Sequence, residues 1–227
     1  MDKILSMVQL QAQLNDATNG EKWTDGITKN GKSINWKRCI YMECAEMVDS
    51  FSWKHWKSID KEPDWANHQI EVVDVWHFII SLGLEYYAQN LKGGVEELSL
   101  HFSELPSFSN ISTETTHFAS QDEVIAKVED LIRLALSSDA LDLDKMVNDF
   151  FELVLMSGLN LDSLYRLYVG KNILNQFRQD HGYKDGSYIK VWNGEEDNVL
   201  MKRIWETNSD IKPDVLYKEL EKAYSAL

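Results

Sequence analysis

Two short stretches constrain this chain more than anything else in it. Residues 43–49 read ECAEMVD and residues 71–78 read EVVDVWHF, so Glu43 with Glu46, and Glu71 with Asp74, each set two carboxylates three positions apart. The second pair repeats the first at an offset of 28 residues. Residues i and i+3 share a helix face, and like charges at that spacing destabilise an isolated helix. A solvated face is the ordinary home for such a pair. Here Met42, Cys44, Met47 and Val48 flank the first, and Ile70, Val72, Val73, Val75, Trp76, Phe78, Ile79 and Ile80 flank the second. Little of either helix is left polar, and a helix apolar nearly all round is buried. Acids inside or at the rim of a bundle need a positive partner, and hard divalent cations take oxygen ligands in this way. Mg²⁺ is the first choice, because it bridges a few carboxylates to substrate phosphates while keeping some of its waters. Iron is the main competitor. Di-iron bundles carry Glu-x-x-His on two helices, and only the second helix here offers anything similar, as Asp74-x-x-His77. His77 therefore reads as a packed or hydrogen-bonded residue.

The rest of the chain is helical in period. With 227 residues, 44% of them hydrophobic, it can bury a sizeable core. A first helix places Ile4, Val8 and Leu14 near one stripe, and a Gly-spotted loop follows over about 17–34. A second helix runs from Asn35 to about Phe51, with Ile40, Cys44 and Met47 inward, and a third is expected to open on Pro63 and end near Asn90. Residues 91–120, with Gly93, Gly94, Pro106 and many Ser and Thr, read as a poorly ordered or mobile connection and as the best internal boundary. Further helices are expected at about 121–137, 143–157 and 161–180, then a loop, then a helix opened by Pro213. No strand hairpin is expected. The fold class is an all-α helical bundle.

Composition excludes several functions. A net charge of −14 argues against a nucleic-acid partner, whose phosphate backbone needs many Lys and Arg contacts. A small anion remains open if local cations and metals reverse the field. No apolar run approaches the roughly 18 residues of a membrane span, and the first residues turn polar too soon for a secretory signal, so a cytoplasmic location is expected. Cys39 and Cys44 are five apart on one helix, which suits neither a disulfide nor a metal pair, and they read as reduced, buried thiols. No Gly-rich run ends in Gly-Lys-Ser/Thr, which disfavours a Walker-type NTPase.

LQAQLNDATNG, RCIYMECAEMVDSFSWKHWK, EVVDVWHF and GKNILNQFRQDHGYKDGSYIKVWNGEEDN together resemble the dimeric all-α dUTPases, a branch of the MazG-like nucleotide pyrophosphatases. The last and longest of these motifs points to the dUTPase branch. The resemblance implies a homodimer that hydrolyses dUTP, and also dUDP, to dUMP. It implies two or three Mg²⁺ ions held by Glu43, Glu46, Glu71 and Asp74. It also implies one all-α domain over 1–227, with core helices at about 1–90 and 160–205 and a mobile helical insert at about 91–157. Gln11 and Asn15, four apart on one face, offer the donors and acceptors an imide edge needs, and in the family a Gln and an Asn at this place read the uracil base. Asn175 is the third amide carried over. Phe78, four residues after Asp74, is implied to stack on the uracil ring, and Trp53, with His55 and Trp56, to wall the base pocket. Lys171, Asn175 and Arg178 line one helix face as cation, amide and cation, a plausible phosphate rail, and Tyr183, Lys184 and Tyr188 lie in a loop able to close over the triphosphate. Two other readings stay open: an all-α pyrophosphatase for dCTP or a damaged nucleotide, and a helical metal-dependent binding or regulatory protein.

Overall fold

The computed structural model describes residues 2–57, 62–113, 116–138, 140–207 and 212–227. It divides into two compact units, Met1–Tyr165 and Arg166–Leu227. In the first unit the helices are α1 (Lys3–Asn19), α2 (Trp36–Asp49), α3 (Trp65–Gln89), α4 (Val95–Glu104), α5 (Phe108–Thr113), α6 (Gln121–Leu136) and α7 (Leu143–Met156). The division falls within α8 (Leu161–Asp180), after which the second unit holds a hairpin of β1 (Val191–Trp192) and β2 (Glu195–Glu196), then α9 (Asp197–Thr207) and α10 (Pro213–Tyr224). The structure is mostly helical, as the period requires. No helix among the described residues is long and apolar enough to cross a membrane.

Helix ends follow local chemistry. Asn35 caps α2 by accepting from the Arg38 N–H, and Asp64 caps α3 by accepting from the Asn67 N–H. The third helix thus begins after Asp64 and not at Pro63, because a capping carboxylate satisfies one of the orphan N–H groups of the first turn. Gln121 follows a complete capping box, in which Ser120 and Glu123 bond each other's backbone N–H.

The core of the first unit is built on α3. Trp76, wholly buried, stacks on Phe150 of α7 at 4.9 Å between ring centres and meets Phe102 of α4 at 5.5 Å. Each large apolar side chain buried in this way contributes roughly 1.5–3 kcal/mol. Gly83 lets α4 approach α3: a Cβ there would lie 3.2 Å from both Leu98 methyls and from Phe102. α2 packs along α3, α6 closes against α2 and α7, and α1 lies against α3 and α4. The segment 91–120, expected as a connection, carries α4 and α5, whose Leu98, Phe102 and Ile111 are buried; residues 114 and 115 lie outside the described residues. Pro106 and the glycines only punctuate these helices. Cys44 is buried and Cys39 half-buried, both are free, and burial pushes both thiols up.

In the second unit an aromatic cluster joins α8, the hairpin and α10. Phe177 meets Trp192 at 5.8 Å, and Tyr188 stacks on Tyr224 at 5.3 Å. The hairpin, which the periodicity did not predict, turns on Asn193 (φ 50°) and Gly194 (φ 91°). Two successive positive φ angles are the requirement of a two-residue primed turn, and Asn-Gly is its strongest sequence signal.

His68 ties α3 to the end of α7. Its Nε2 bonds Ser157 Oγ at 2.8 Å, and that hydroxyl donates to the Leu153 carbonyl at 2.7 Å. Burial pushes its pKa down from 6.5 to about 4. The unfolded chain then binds this proton more readily than the folded one, so the contribution to stability is complete above pH 6.5 and is lost as pH falls toward 4. The difference is on the order of 3 kcal/mol. Urea melts of the parent should weaken over that window more steeply than melts of His68→Gln, which keeps a donor and does not titrate. Equal slopes for the two proteins would remove His68 as the source.

Candidate active site

α2 and α3 bring three of the four predicted acids together. Carboxylate oxygens of Glu43, Glu46 and Glu71 lie within 4.8 Å of one another. Glu71 is only 6% exposed, Glu43 is half-buried and Glu46 is exposed. Asp74, half-buried one turn beyond Glu71, lies outside that close group. Three carboxylates at this separation, one of them desolvated, repel unless a cation stands among them. A set of oxygen donors alone suits a hard divalent ion such as Mg²⁺, and no histidine joins the group. His77 is buried and bonds the Val73 carbonyl through Nδ1 at 2.9 Å.

The predicted amides of α1 meet a residue that sequence reasoning missed. Gln11 and Asn15, both buried, each donate to Ser81 Oγ at 3.0 Å, and Gln11 also donates to Asn15 Oδ1 at 3.1 Å. Ser81 Oγ in turn donates to the His77 carbonyl at 2.8 Å. Ser81 stands three residues after Phe78 on α3, so the same helical spacing that picked out Phe78 would have found it.

Phe78 is half-buried and stacks on Trp36 at 6.1 Å, and Trp36 meets Trp23 edge-on at 6.0 Å. Trp23 Nε1 donates to Asp16 Oδ1 at 2.8 Å, anchoring this wall to α1. Beside it, burial pushes the Glu85 carboxyl up to about 7, against the opposing pull of the Trp36 indole N–H. Trp36 and Glu85 carried no sequence signal, because each acquires its setting from another element. Trp53 lies beyond the end of α2 and is 42% exposed. Its Nε1 donates to Asp49 Oδ1 at 3.3 Å, and it packs edge-on against Trp56 at 5.5 Å, as His55 does at 5.1 Å. Lys54 pairs with Asp49 and sits 5.2 Å over the Trp53 ring, which holds the Asp49 carboxyl below the usual range.

In the second unit the predicted cations are drawn into one network. Lys171, 3% exposed, donates from Nζ to Asn198 Oδ1 at 2.9 Å. Arg178, also buried, grips Asp197 through Nε at 2.8 Å and Nη2 at 2.7 Å, and its Nη1 reaches Asn175 Oδ1 at 3.5 Å. Tyr188 Oη donates to Asp197 Oδ2 at 2.8 Å; burial and the adjacent carboxylate raise its pKa. Tyr183 and Lys184 are exposed on a 3-10 turn bounded by Gly182 (φ 85°) and Gly186 (φ 80°), and the Arg178 guanidinium lies 5.7 Å over the Tyr183 ring. Asp197 and Asn198 were the residues missed here. The signal was the Asp-Asn pair at the end of the long motif.

The sequence model of a family described as dUTPase matches residues 3–183. No curated protein matches the chain. The match covers most of the chain, including the acid cluster of α2 and α3 and the cation-bearing α8. With a mostly helical architecture and a convergent set of carboxylates, the chain belongs to the all-α dUTPase family and is a hydrolase of the dUTP diphosphatase class.

Proposed function

We propose that the chain acts as a Mg²⁺-dependent homodimer in the cytoplasm and converts dUTP, and also dUDP, to dUMP. This keeps uracil out of DNA and supplies dUMP for thymidylate synthesis. The observation that carries the reading is the convergence of Glu43, Glu46 and Glu71 within 4.8 Å in a member of the dUTPase family. Those three, with Asp74, hold the metal. When bound, Mg²⁺ supplies Lewis-acid polarisation of phosphate oxygens and neutralises charge as the anhydride bond breaks.

The chain's own groups do the rest. Glu43, half-buried in the cluster, accepts the proton of the attacking water, which requires a carboxylate within hydrogen-bond reach and still ionised. Attack at the β-phosphorus accounts for both substrates, because dUMP leaves in each case. No nucleophilic Ser or Cys takes part. Gln11, Asn15 and Asn175 read the polar edge of uracil, Phe78 stacks on its ring and Trp53 covers it. The Gln11 and Asn15 amides already exchange hydrogen bonds with each other and with Ser81, which fixes their rotamers before a base arrives. Lys171, Arg178, Tyr183, Lys184 and Tyr188 bind the phosphates, with the Gly182–Gly186 turn closing over them.

Specificity gives the first test. A pocket that seats uracil against Phe78 crowds the 5-methyl group of thymine; one methyl is worth roughly 1–3 kcal/mol, and steric exclusion adds to it. Turnover of dUTP should exceed that of dTTP by a factor of about 100 or more when nucleoside monophosphate release is followed for each dNTP. Equal turnover would overturn the assignment.

Removal of the metal gives the second. Glu71→Gln relieves repulsion in the metal-free cluster, so in EDTA it should melt at or above the parent's temperature. Added Mg²⁺ should raise the parent's melting temperature and leave the variant's nearly unchanged. The variant's rate should fall at least about 100-fold, or roughly 2.7 kcal/mol of barrier. Were the acids only structural ion-pair partners, the variant would instead strand a buried cation and melt well below the parent without metal.

A further inference from the structure

Asp197 and Asn198 open α9, beyond the residues matched by the family. Asp197 is wholly buried, and its carboxylate serves more than one neighbour. Oδ2 accepts from Arg178 Nε and from Tyr188 Oη, each at 2.8 Å, while Oδ1 accepts from Arg178 Nη2 at 2.7 Å and from the Asn198 N–H at 2.8 Å. The Asn198 side-chain oxygen accepts from Lys171 Nζ at 2.9 Å and from Arg178 Nη2 at 3.3 Å. The backbone of Asp197 is anchored as well, since its N–H donates to the Lys190 carbonyl at 3.0 Å.

We infer that Asp197 and Asn198 are positioning residues for the triphosphate: Asp197 orients Arg178 and Tyr188, and Asn198 orients Lys171. The inference rests on the reading that these three side chains bind phosphate. A two-point grip fixes the plane of a guanidinium as well as its place, which one hydrogen bond cannot do. Arg and Lys otherwise carry long, rotamer-rich stems, and ordering them only when substrate arrives would subtract from binding. Groups aimed beforehand at the place where charge accumulates need no such reorganisation. A simple charge pair would need only Arg178 and Asp197. Tyr188 converging on the same oxygen, and Lys171 on the adjacent residue, are what a pairing for charge alone leaves unexplained.

The test is calorimetric binding of α,β-imido-dUTP and of deoxyuridine, both with Mg²⁺, to the full-length parent and to Asp197→Asn, Asn198→Ala and Tyr188→Phe. In Asp197→Asn the affinity for the imido triphosphate should fall about 10-fold or more while that for deoxyuridine stays within twofold, since a hydrogen bond to a charged group is lost only on the phosphate side. KM for dUTP should rise with it. Asp197→Asn strands Arg178 and risks unfolding, so Asn198→Ala, which removes no charge, carries the same comparison, with a loss of about fivefold or more expected. Tyr188→Phe should show the same selective loss. Unchanged affinity for the imido triphosphate in Asn198→Ala, or equal losses for both ligands in every variant, would overturn the positioning role. Failure of the parent itself to bind the imido triphosphate would instead remove the functional reading, and the inference with it.

Discussion

Carboxylate oxygens of Glu43, Glu46 and Glu71 converge within 4.8 Å, a proximity that like charges do not adopt on their own. The packing of the first unit imposes that proximity. α2 packs along α3, and the same helices that carry the acids carry Ile40, Cys44, Met47, Val72, Val75 and Trp76 into the core. Apolar burial along the same two helices thus fixes where the acids meet.

The second unit solves the opposite problem. Lys171 and Arg178 are buried cations, and burying a cation without a partner is costly. Asp197, at the start of α9, meets Arg178 in a two-point pair, and Asn198 meets Lys171. Asp197 also sits in the first turn of its helix, where a negative charge is favoured by the aligned backbone dipoles. Within this unit, then, the buried cations are held by an acid and an amide of a single helix start.

Much of this was legible in the residues. The i, i+3 spacing placed Glu43 with Glu46 on one helix, and the interleaved apolar residues showed that those helices must be buried. The 3.6 period located α1, α2, α3, α6, α7, α8 and α10 to within a few residues. Where the reading failed, the reasons are local. Pro63 suits a first helical turn, but the capping power of Asp64 outweighs it. Residues 91–120 were read from their Gly, Pro and Ser content, although Leu98 and Phe102 bring α4 into the core and outweigh that composition. Asn193–Gly194 is a strong turn signal, and the hairpin was missed because its two-residue strands are too short for alternation to register.

The sequence by itself determined that the chain is helical, that it carries two acid pairs among apolar residues, and which long motif marks the dUTPase branch. The first two are properties of spacing and residue type, which a helix converts into faces without reference to anything distant, and the third is a resemblance carried by the motif. Only the tertiary structure decided that Glu71 of α3 joins Glu43 and Glu46 while Asp74 stays outside the close group. It also decided that Gln11 and Asn15 turn to Ser81, and that Arg178 and Tyr188 share Asp197. Those partners are separated by 66 and 70 residues in the first case and by 19 and 9 in the second. Helical periodicity relates only residues one or two turns apart, so which distant side chains meet depends on how the helices pack, and packing is a property of the whole fold.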